Sequence, residues 1–399
     1  MRTNIKCSLL MAAYYSLNCV TLGYVTYYLG SIGLGDLFIS IIVAIACALG
    51  GILQIVVGRV VDRIQRWNWK NVLIIFGSIV LLLNLSRIFI QATSWQWISY
   101  GSVMVFQMIM MPMVNLAGFD YSSKGIPVNF GIIRGVGSAA FAGASFIIGK
   151  LTVRFGSGSI LEISAVLAAL LIVVVLIMPL PAGEAVQGSG TQADTAQADA
   201  SKKISIIAFI KKYPEFFIMV TGVAFLLVYH NLLNTFFIRV VENVGGDSDS
   251  LGIALGIAAI AELPILFLYS RINGKLIKSS RILIIISCVF FVVRSILYVF
   301  AFSVMMVYLI QLLQSVSFGL MVAAKATYAD ETMEISDKAT GQSLMTFTDA
   351  FGAVVGTFAG GLLLNHGGVI FMLWGGVIIA VIGTLITLTT LAQKYLNRA

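Results

Sequence analysis

Twelve long apolar stretches divide this chain of 399 residues. Each is long enough to cross the hydrocarbon core of a bilayer, which takes roughly 20 apolar residues in a helix. Charged residues make up 11% of the chain, whereas soluble domains carry about 25%. The pattern predicts an all-α polytopic membrane protein with twelve transmembrane helices. The stretches fall at 7–29, 36–57, 71–91, 97–118, 129–149, 158–180, 215–238, 250–270, 281–301, 304–326, 341–363 and 369–391.

The Lys and Arg residues predict how the chain is oriented. If the N-terminus is cytoplasmic, most of the 25 basic residues fall in cytoplasmic segments, which is the bias that membrane proteins show. Topology therefore explains the net charge of +8, and nucleic acid is not expected as a partner. Both termini are predicted to be cytoplasmic, in a plasma (inner) membrane whose lipid surrounds the protein.

A polar segment separates the first six stretches from the last six. Residues 181–203 are rich in Ala, Gly, Ser, Thr, Gln and Asp and have no apolar period, as is typical of flexible linkers. The predicted organisation is an N-terminal six-helix half over 1–180, a cytoplasmic linker over 181–203 and a C-terminal half over 204–399. Residues 204–212 regain an apolar pattern and end in two lysines, which predicts a short helix on the anionic inner leaflet.

A compact motif connects the second and third stretches. Gly58 would let two helices approach, Asp62 would pair with basic groups or a helix N-terminus, and Arg63 and Arg66 would meet lipid phosphate. The spacing resembles the signature loop of the major facilitator superfamily, G-x-x-x-D-R-x-G-R, with Gln65 in place of the second glycine. The resemblance implies two pseudo-symmetric six-helix halves and a conformational gating role for this loop. An ordinary positive-inside loop is the alternative.

A finer resemblance extends over most of the chain. The segment 130–137 in span five resembles the F-G-x-x-R-x-x-G motif of the lactose permease and other oligosaccharide:proton symporters. That resemblance implies that Arg134 binds sugar hydroxyls and that Phe141 takes the place of a stacking tryptophan. It also matches Glu262 to a substrate-binding glutamate and Arg294 to a coupling arginine.

The chain departs from that branch where neutral polar residues replace charged ones. The usual proton relay is therefore absent, and galactoside specificity does not carry over. The neutral residues at those positions are Asn115 in span four, His230, Asn231 and Asn234 in span seven, and Gln311, Gln314 and Ser317 in span ten. The amides within the spans suit a polyhydroxylated or nucleoside-like ligand, with a bridge between helices as the alternative for some of them. These amides are Gln107, Asn231, Asn234, Gln311, Gln314 and Gln342.

Several charged residues nevertheless lie inside the predicted spans. A charged side chain at the bilayer centre costs about 2.5–3.5 kcal/mol on insertion scales, so such residues pair or face a cavity. Asp349 and Glu262 are predicted to be the protonatable pair, whereas a structural ion pair between Asp349 and Arg294 is the alternative. Lys325 and Arg87 lie near span ends and are expected to extend toward the membrane surface. The residues well inside their spans are Arg134, Glu262, Arg294 and Asp349.

These features predict a secondary transporter that imports a small polar, sugar-like solute by alternating access and proton symport. No catalytic constellation, metal site or cofactor motif is present, so the chain is not expected to be an enzyme. A hydrogen-bonded packing role is the alternative for His230. The predicted substrate-binding residues are Arg134, Phe141 and Asn115 from the first half and His230, Glu262 and Gln314 from the second.

Three other functions fit parts of the sequence. An exporter of amphipathic compounds could use the 15 methionines to line an adaptable pocket. A transport-inactive sensor or scaffold on a transporter fold would explain the missing proton relay. A membrane-embedded enzyme is the weakest alternative, because the chain lacks a catalytic constellation.

Overall fold

The computed structural model describes residues 2–64, 67–181, 206–271 and 279–396. In these segments, eleven helices are long and apolar enough to cross a membrane. The longest, Lys338–Leu396, contains a break at Gly368, where φ is 72° and ψ is −167°. A left-handed φ of this kind favours glycine, and the break divides the helix into two spans. The predicted fold of twelve transmembrane helices is confirmed.

The helix bounds agree closely with the apolar stretches. Span one consists of Arg2–Asn18, a π-helical turn at Cys19–Gly23, and Val25–Ser31. Spans two to nine are Asp36–Arg63, Trp69–Phe89, Thr93–Ser123, Phe130–Phe155, Ser159–Ile177, Pro214–Thr235, Ser248–Arg271 and Ser280–Val299. Span ten consists of Val304–Gln311, a π-helical turn at Ser315–Gly319, and Leu320–Thr332. Spans eleven and twelve lie on the two sides of Gly368, and the short helices are Ile206–Lys212, Phe237–Asn243 and Ile335–Asp337.

Side-chain caps fix where several spans begin. The side chain of Asn129 accepts a hydrogen bond of 3.1 Å from the Ile132 amide at the start of span five. Asp247 likewise accepts a bond of 2.9 Å from the Ser250 amide before span eight. This backbone bond lowers the pKa of Asp247, which lies outside the spans. Capping residues satisfy amides that have no partner within the helix.

The described residues group into two compact units, one within 1–189 and 235–260 and the other within 190–234 and 261–399. The segment 235–260 thus groups with the first six spans, although it follows the linker in sequence. Glycine explains part of this grouping. A Cβ atom at Gly252 would lie 2.3 Å from the Ser145 carbonyl oxygen and 3.1 Å from the Gly149 Cα. Spans five and eight therefore touch through their backbones, as small residues permit in membrane helices.

An ionic cluster also joins the segment 235–260 to span two within the first unit. Arg239 Nε donates a 2.9 Å hydrogen bond to Asp36, at the start of span two, and Nη1 donates one of 2.9 Å to Glu242. Burial lowers the pKa of the Arg239 guanidinium, but the bonds and charges of Glu242 and Asp36 outweigh it and raise the pKa overall. Arg239 is consequently a permanent cation between two acidic groups.

Part of the superfamily motif lies in a helix and not in the connecting loop that the sequence predicted. Span two continues to Arg63, so Gly58, Asp62 and Arg63 lie on its last turns rather than in a loop. Beyond the backbone of its own helix, no heavy atom of the described residues lies within 4 Å of the place where a Cβ at Gly58 would stand. A close approach of a second helix at Gly58 stays a prediction. Arg63 is exposed, while the side chain of Asp62 and all of Arg66 lie outside the described residues.

Candidate substrate site

The first unit contains a cavity of about 250 Å³. Its walls are the first turns of span one, the last turns of span four and the first turns of span five. Two of the predicted substrate-binding residues, Asn115 and Arg134, line it together. The lining residues are Cys7, Met11, Val114, Asn115, Gly118, Phe119, Phe130, Ile133 and Arg134.

Arg134 is held in place from span one. Its Nη1 donates a hydrogen bond to the Tyr15 hydroxyl, and its Cζ atom lies 5.0 Å from the centroid of the Tyr15 ring. The guanidinium thus has both a polar and a cation–π contact with one side chain, and these fix the plane of its donors. Since span five begins at Phe130, Arg134 lies about one turn from the helix end. The sequence pattern predicted that Arg134 lies well inside the span, and the structure places it near the end.

Phe141 does not belong to the lining of this cavity. It lies seven residues beyond Arg134, which is roughly 10 Å farther along the helix. The aromatic residues of the cavity are Phe119 and Phe130, which sequence reasoning had not assigned to the site. Phe119 follows Asn115 by four residues, and Phe130 precedes Arg134 by four. Helical residues four apart share a face, so this spacing was a signal that could have identified both rings.

The second unit brings the other three predicted substrate-binding residues into one region of spans seven, eight and ten. Gln314 Nε2 donates a hydrogen bond of 3.0 Å to Glu262 Oε1, and the Gln314 Oε1 atom is buried without a partner among the described residues. The adjoining Ser315–Gly319 segment is π-helical. Such turns widen a helix and are frequent at functional sites.

His230 lies between aromatic rings in this region. It stacks on Phe318 with centroids 3.9 Å apart and an interplanar angle of 4°, and its ring meets that of Phe291 edge-on at 6.1 Å. Asn234 Nδ2 is 2.8 Å from His230 Nε2, so that nitrogen accepts a bond and the ring proton is assigned to Nδ1. Nδ1 is buried without a partner in the described part of the chain. The ring therefore has a free donor as well as a packing role.

One ion pair and one hydrogen bond to a neutral amide hold the charged residues of spans nine to eleven. Lys325 Nζ lies 2.5 Å from both Asp349 carboxylate oxygens, whereas Arg294 Nη2 donates a 2.8 Å bond to Gln311 Oε1. Asp349 is thus paired with Lys325 and not with Arg294. The expectation that Lys325 and Arg87 extend to the membrane surface is wrong, because both side chains are buried. Arg87 bonds to Asn84 in the first unit.

The spans carry paired charged and amide side chains, and a small cavity lies between three of them. These features are typical of an integral membrane transporter. The chain matches the MFS_1 like family over residues 4–374 and belongs to that family of major facilitator transporters. By that membership it is a transporter and not an enzyme. No curated protein matches it in sequence.

Solved structures share the fold over nearly the whole chain. A mutant form of the nucleoside transporter NupG has a TM-score of 0.79 at 16% identity, with 98% of this chain and 99% of that chain covered. A bacterial homolog of the human lysosomal transporter Spinster, inward-facing and unoccupied, has a TM-score of 0.70 at 13% identity, with 98% and 96% covered. An auto-inhibited POT family peptide transporter has a TM-score of 0.69 at 11% identity, with 100% and 97% covered. At these identities the likeness concerns the fold.

Proposed function

We propose that the protein imports a small polar solute that contains a ring, sugar-like in its hydrogen-bonding groups, across a plasma (inner) membrane by proton symport. The observation that carries the proposal is the cavity in which Asn115 and Arg134 lie together among apolar side chains. Ligand sites combine such an apolar lining with a few placed polar groups. Both termini are cytoplasmic in this proposal, on the evidence of the Lys and Arg distribution.

The ion pair between Lys325 and Asp349 supports proton coupling. A proton on Asp349 would remove the negative charge that holds the Lys325 ammonium, and the pair would separate. Glu262 would serve as the second proton site, and in this structure its carboxylate accepts a hydrogen bond from Gln314 Nε2. Arg294, the predicted coupling arginine, lies in span nine, where it donates a hydrogen bond to Gln311. Coupling requires that the proton bind one conformational state more tightly than the other.

A nucleoside is the second candidate for the solute. Seven of the nine residues that line the cavity are apolar or glycine, and two of them are phenylalanines. A nucleobase matches such walls better than a sugar ring, because buried hydroxyls without partners cost about 1–3 kcal/mol each. NupG, which shares the fold, is a nucleoside transporter.

Uptake into liposomes tests the proposal. The purified protein would be reconstituted and supplied with labelled sugars, nucleosides and aromatic acids, with and without an inward proton gradient. We expect one class to accumulate only when the gradient is present. Expulsion of hydrophobic dyes without accumulation of any labelled solute would contradict the proposal and favour an exporter. Equal accumulation with and without the proton gradient would contradict the proposed proton coupling.

A further inference from the structure

Two aromatic rings form one wall of the cavity in the first unit. The centroids of Phe119 and Phe130 lie 4.5 Å apart with an interplanar angle of 30°, and both residues line the cavity. The two residues are 41% and 38% exposed. Ring surface is therefore available to a ligand.

Gly118 determines where the Phe130 ring lies. A Cβ atom at Gly118 would stand 2.9 Å from Phe130 Cε1, which is closer than side-chain carbons pack. The ring occupies space that any other residue at position 118 would fill. A side chain there would displace the ring of Phe130, which lines the same cavity as Gly118 itself.

Polar groups lie one helical turn from each ring. Asn115 precedes Phe119 by four residues in span four, and Arg134 follows Phe130 by four residues in span five. The Asn115 amide offers a donor and an acceptor in one plane, and the Arg134 guanidinium offers a planar fork of donors. Amides and guanidinium groups of this kind pair in a bidentate way with the edges of nucleobases.

The size of the cavity limits what it admits. At about 250 Å³ it is below the roughly 300–1,000 Å³ of sites for drug-sized ligands, so it accommodates a single ring system and not an oligosaccharide. Most of its walls are apolar, and sugar hydroxyls that faced them would lose their hydrogen bonds to water. A flat ring with polar atoms on one edge could pack its faces against the apolar walls and form hydrogen bonds with Asn115 and Arg134 through that edge.

We propose that this cavity binds the heteroaromatic ring of a nucleobase or nucleoside, which would pack against the aromatic wall of Phe119 and Phe130 and place its polar edge on Asn115 and Arg134. Gly118 sets the thickness of ring that fits, which makes it a specificity-determining residue. The assignment rests on the proposed transport function and, of its two candidate solutes, selects the nucleoside over the sugar-like one.

Calorimetric titration of the purified full-length protein tests the assignment. The ligands would be uridine, adenosine, uracil, 5,6-dihydrouracil and ribose. Dihydrouracil keeps the two carbonyl groups of uracil but its ring is puckered, so we expect it to bind about tenfold more weakly than uracil if stacking contributes as it does between aromatic pairs. Ribose alone should not bind measurably. If ribose binds and neither nucleoside does, the assignment is wrong.

Three variants test which residues are responsible for uracil binding and for the preference for uracil over dihydrouracil. Phe130→Leu should bring uracil and dihydrouracil to within about threefold of each other, because the flat face is lost. Gly118→Ala should weaken uracil binding. Gly143→Ala in span five should leave it unchanged, because a Cβ there would meet no neighbouring atom within 4 Å in the part of the chain that the structure describes. An unaltered preference for uracil over dihydrouracil in Phe130→Leu would overturn the assignment.

The titrations distinguish this assignment from the transport function. If sugars accumulate in liposomes while no heterocycle binds, the ring assignment fails and transport stands. If heterocycles bind with the predicted pattern but no solute accumulates, the transport proposal fails and the binding site stands.

Discussion

Lys325 in span ten and Asp349 in span eleven form an ion pair in which Nζ lies 2.5 Å from both carboxylate oxygens. The lysine side chain is 10% exposed and the aspartate side chain 47%. Removal of the aspartate from this partly buried pair would leave the enclosed lysine charge uncompensated. The pair therefore couples the stability of two adjacent spans to the charge on a single carboxyl group.

Lys325→Ala should destabilise the protein by about 1–3 kcal/mol, between the values for surface pairs and for fully buried ones. The double variant Lys325→Ala/Asp349→Ala should recover part of that loss, because it leaves no unpaired charge. Thermal unfolding in detergent measures both variants against the wild type. Losses that simply add in the double variant would show that the two residues do not interact.

Arg134→Lys should weaken substrate binding by about tenfold or more, because lysine keeps the charge but loses the planar fork. Tyr15→Phe should have a smaller effect of the same sign, since it removes the hydroxyl that accepts from Arg134 but keeps the ring beneath it. Titration with the transported solute measures both variants. Arg154→Lys, outside the cavity, serves as the control. Wild-type affinity in Arg134→Lys would remove this residue from the site.

Apolar periodicity predicted the spans well because a membrane helix must be apolar along its length. It did not reveal which face of a span each polar residue occupies. Lys325 and Asp349 are 24 residues apart, and no local spacing links them, so the partner of Asp349 was missed. Resemblance pointed to Asn115 and Arg134. It did not point to Phe119 and Phe130, because their place in the cavity depends on how span four packs against span five. The roles of His230, Glu262 and Gln314 remain predictions.

Gly252→Ala should destabilise the first unit by about 1–3 kcal/mol, as overpacking does, because a Cβ would lie 2.3 Å from the Ser145 carbonyl oxygen. Gly51→Ala in span two is the matched control, since a Cβ there would meet no atom of another described segment within 4 Å. That variant should be neutral or slightly stabilised, because alanine favours the helix. Thermal unfolding measures the stability of both variants. Equal unfolding temperatures would contradict the backbone contact between spans five and eight at Gly252.

Arg239→Ala should lower stability by about 1 kcal/mol, since it removes partly exposed ion pairs with Asp36 and Glu242. High salt should reduce the difference from wild type by screening the same charges. The exchange of charges in Arg239→Asp/Asp36→Arg should recover part of the loss. If the exchanged variant is less stable than Arg239→Ala, the contact with Asp36 does not contribute.

Uptake by the Asp349→Asn variant tests the central claim, proton-coupled transport, most directly. Asparagine has nearly the same shape as aspartate but carries no titratable charge, so exchange of solute between equal concentrations should persist while accumulation driven by a proton gradient is abolished. Glu162→Gln, which removes an exposed carboxylate at the start of span six, should leave both activities unchanged. If Asp349→Asn accumulates solute as the wild type does, Asp349 does not carry the proton and the proposed coupling mechanism is wrong.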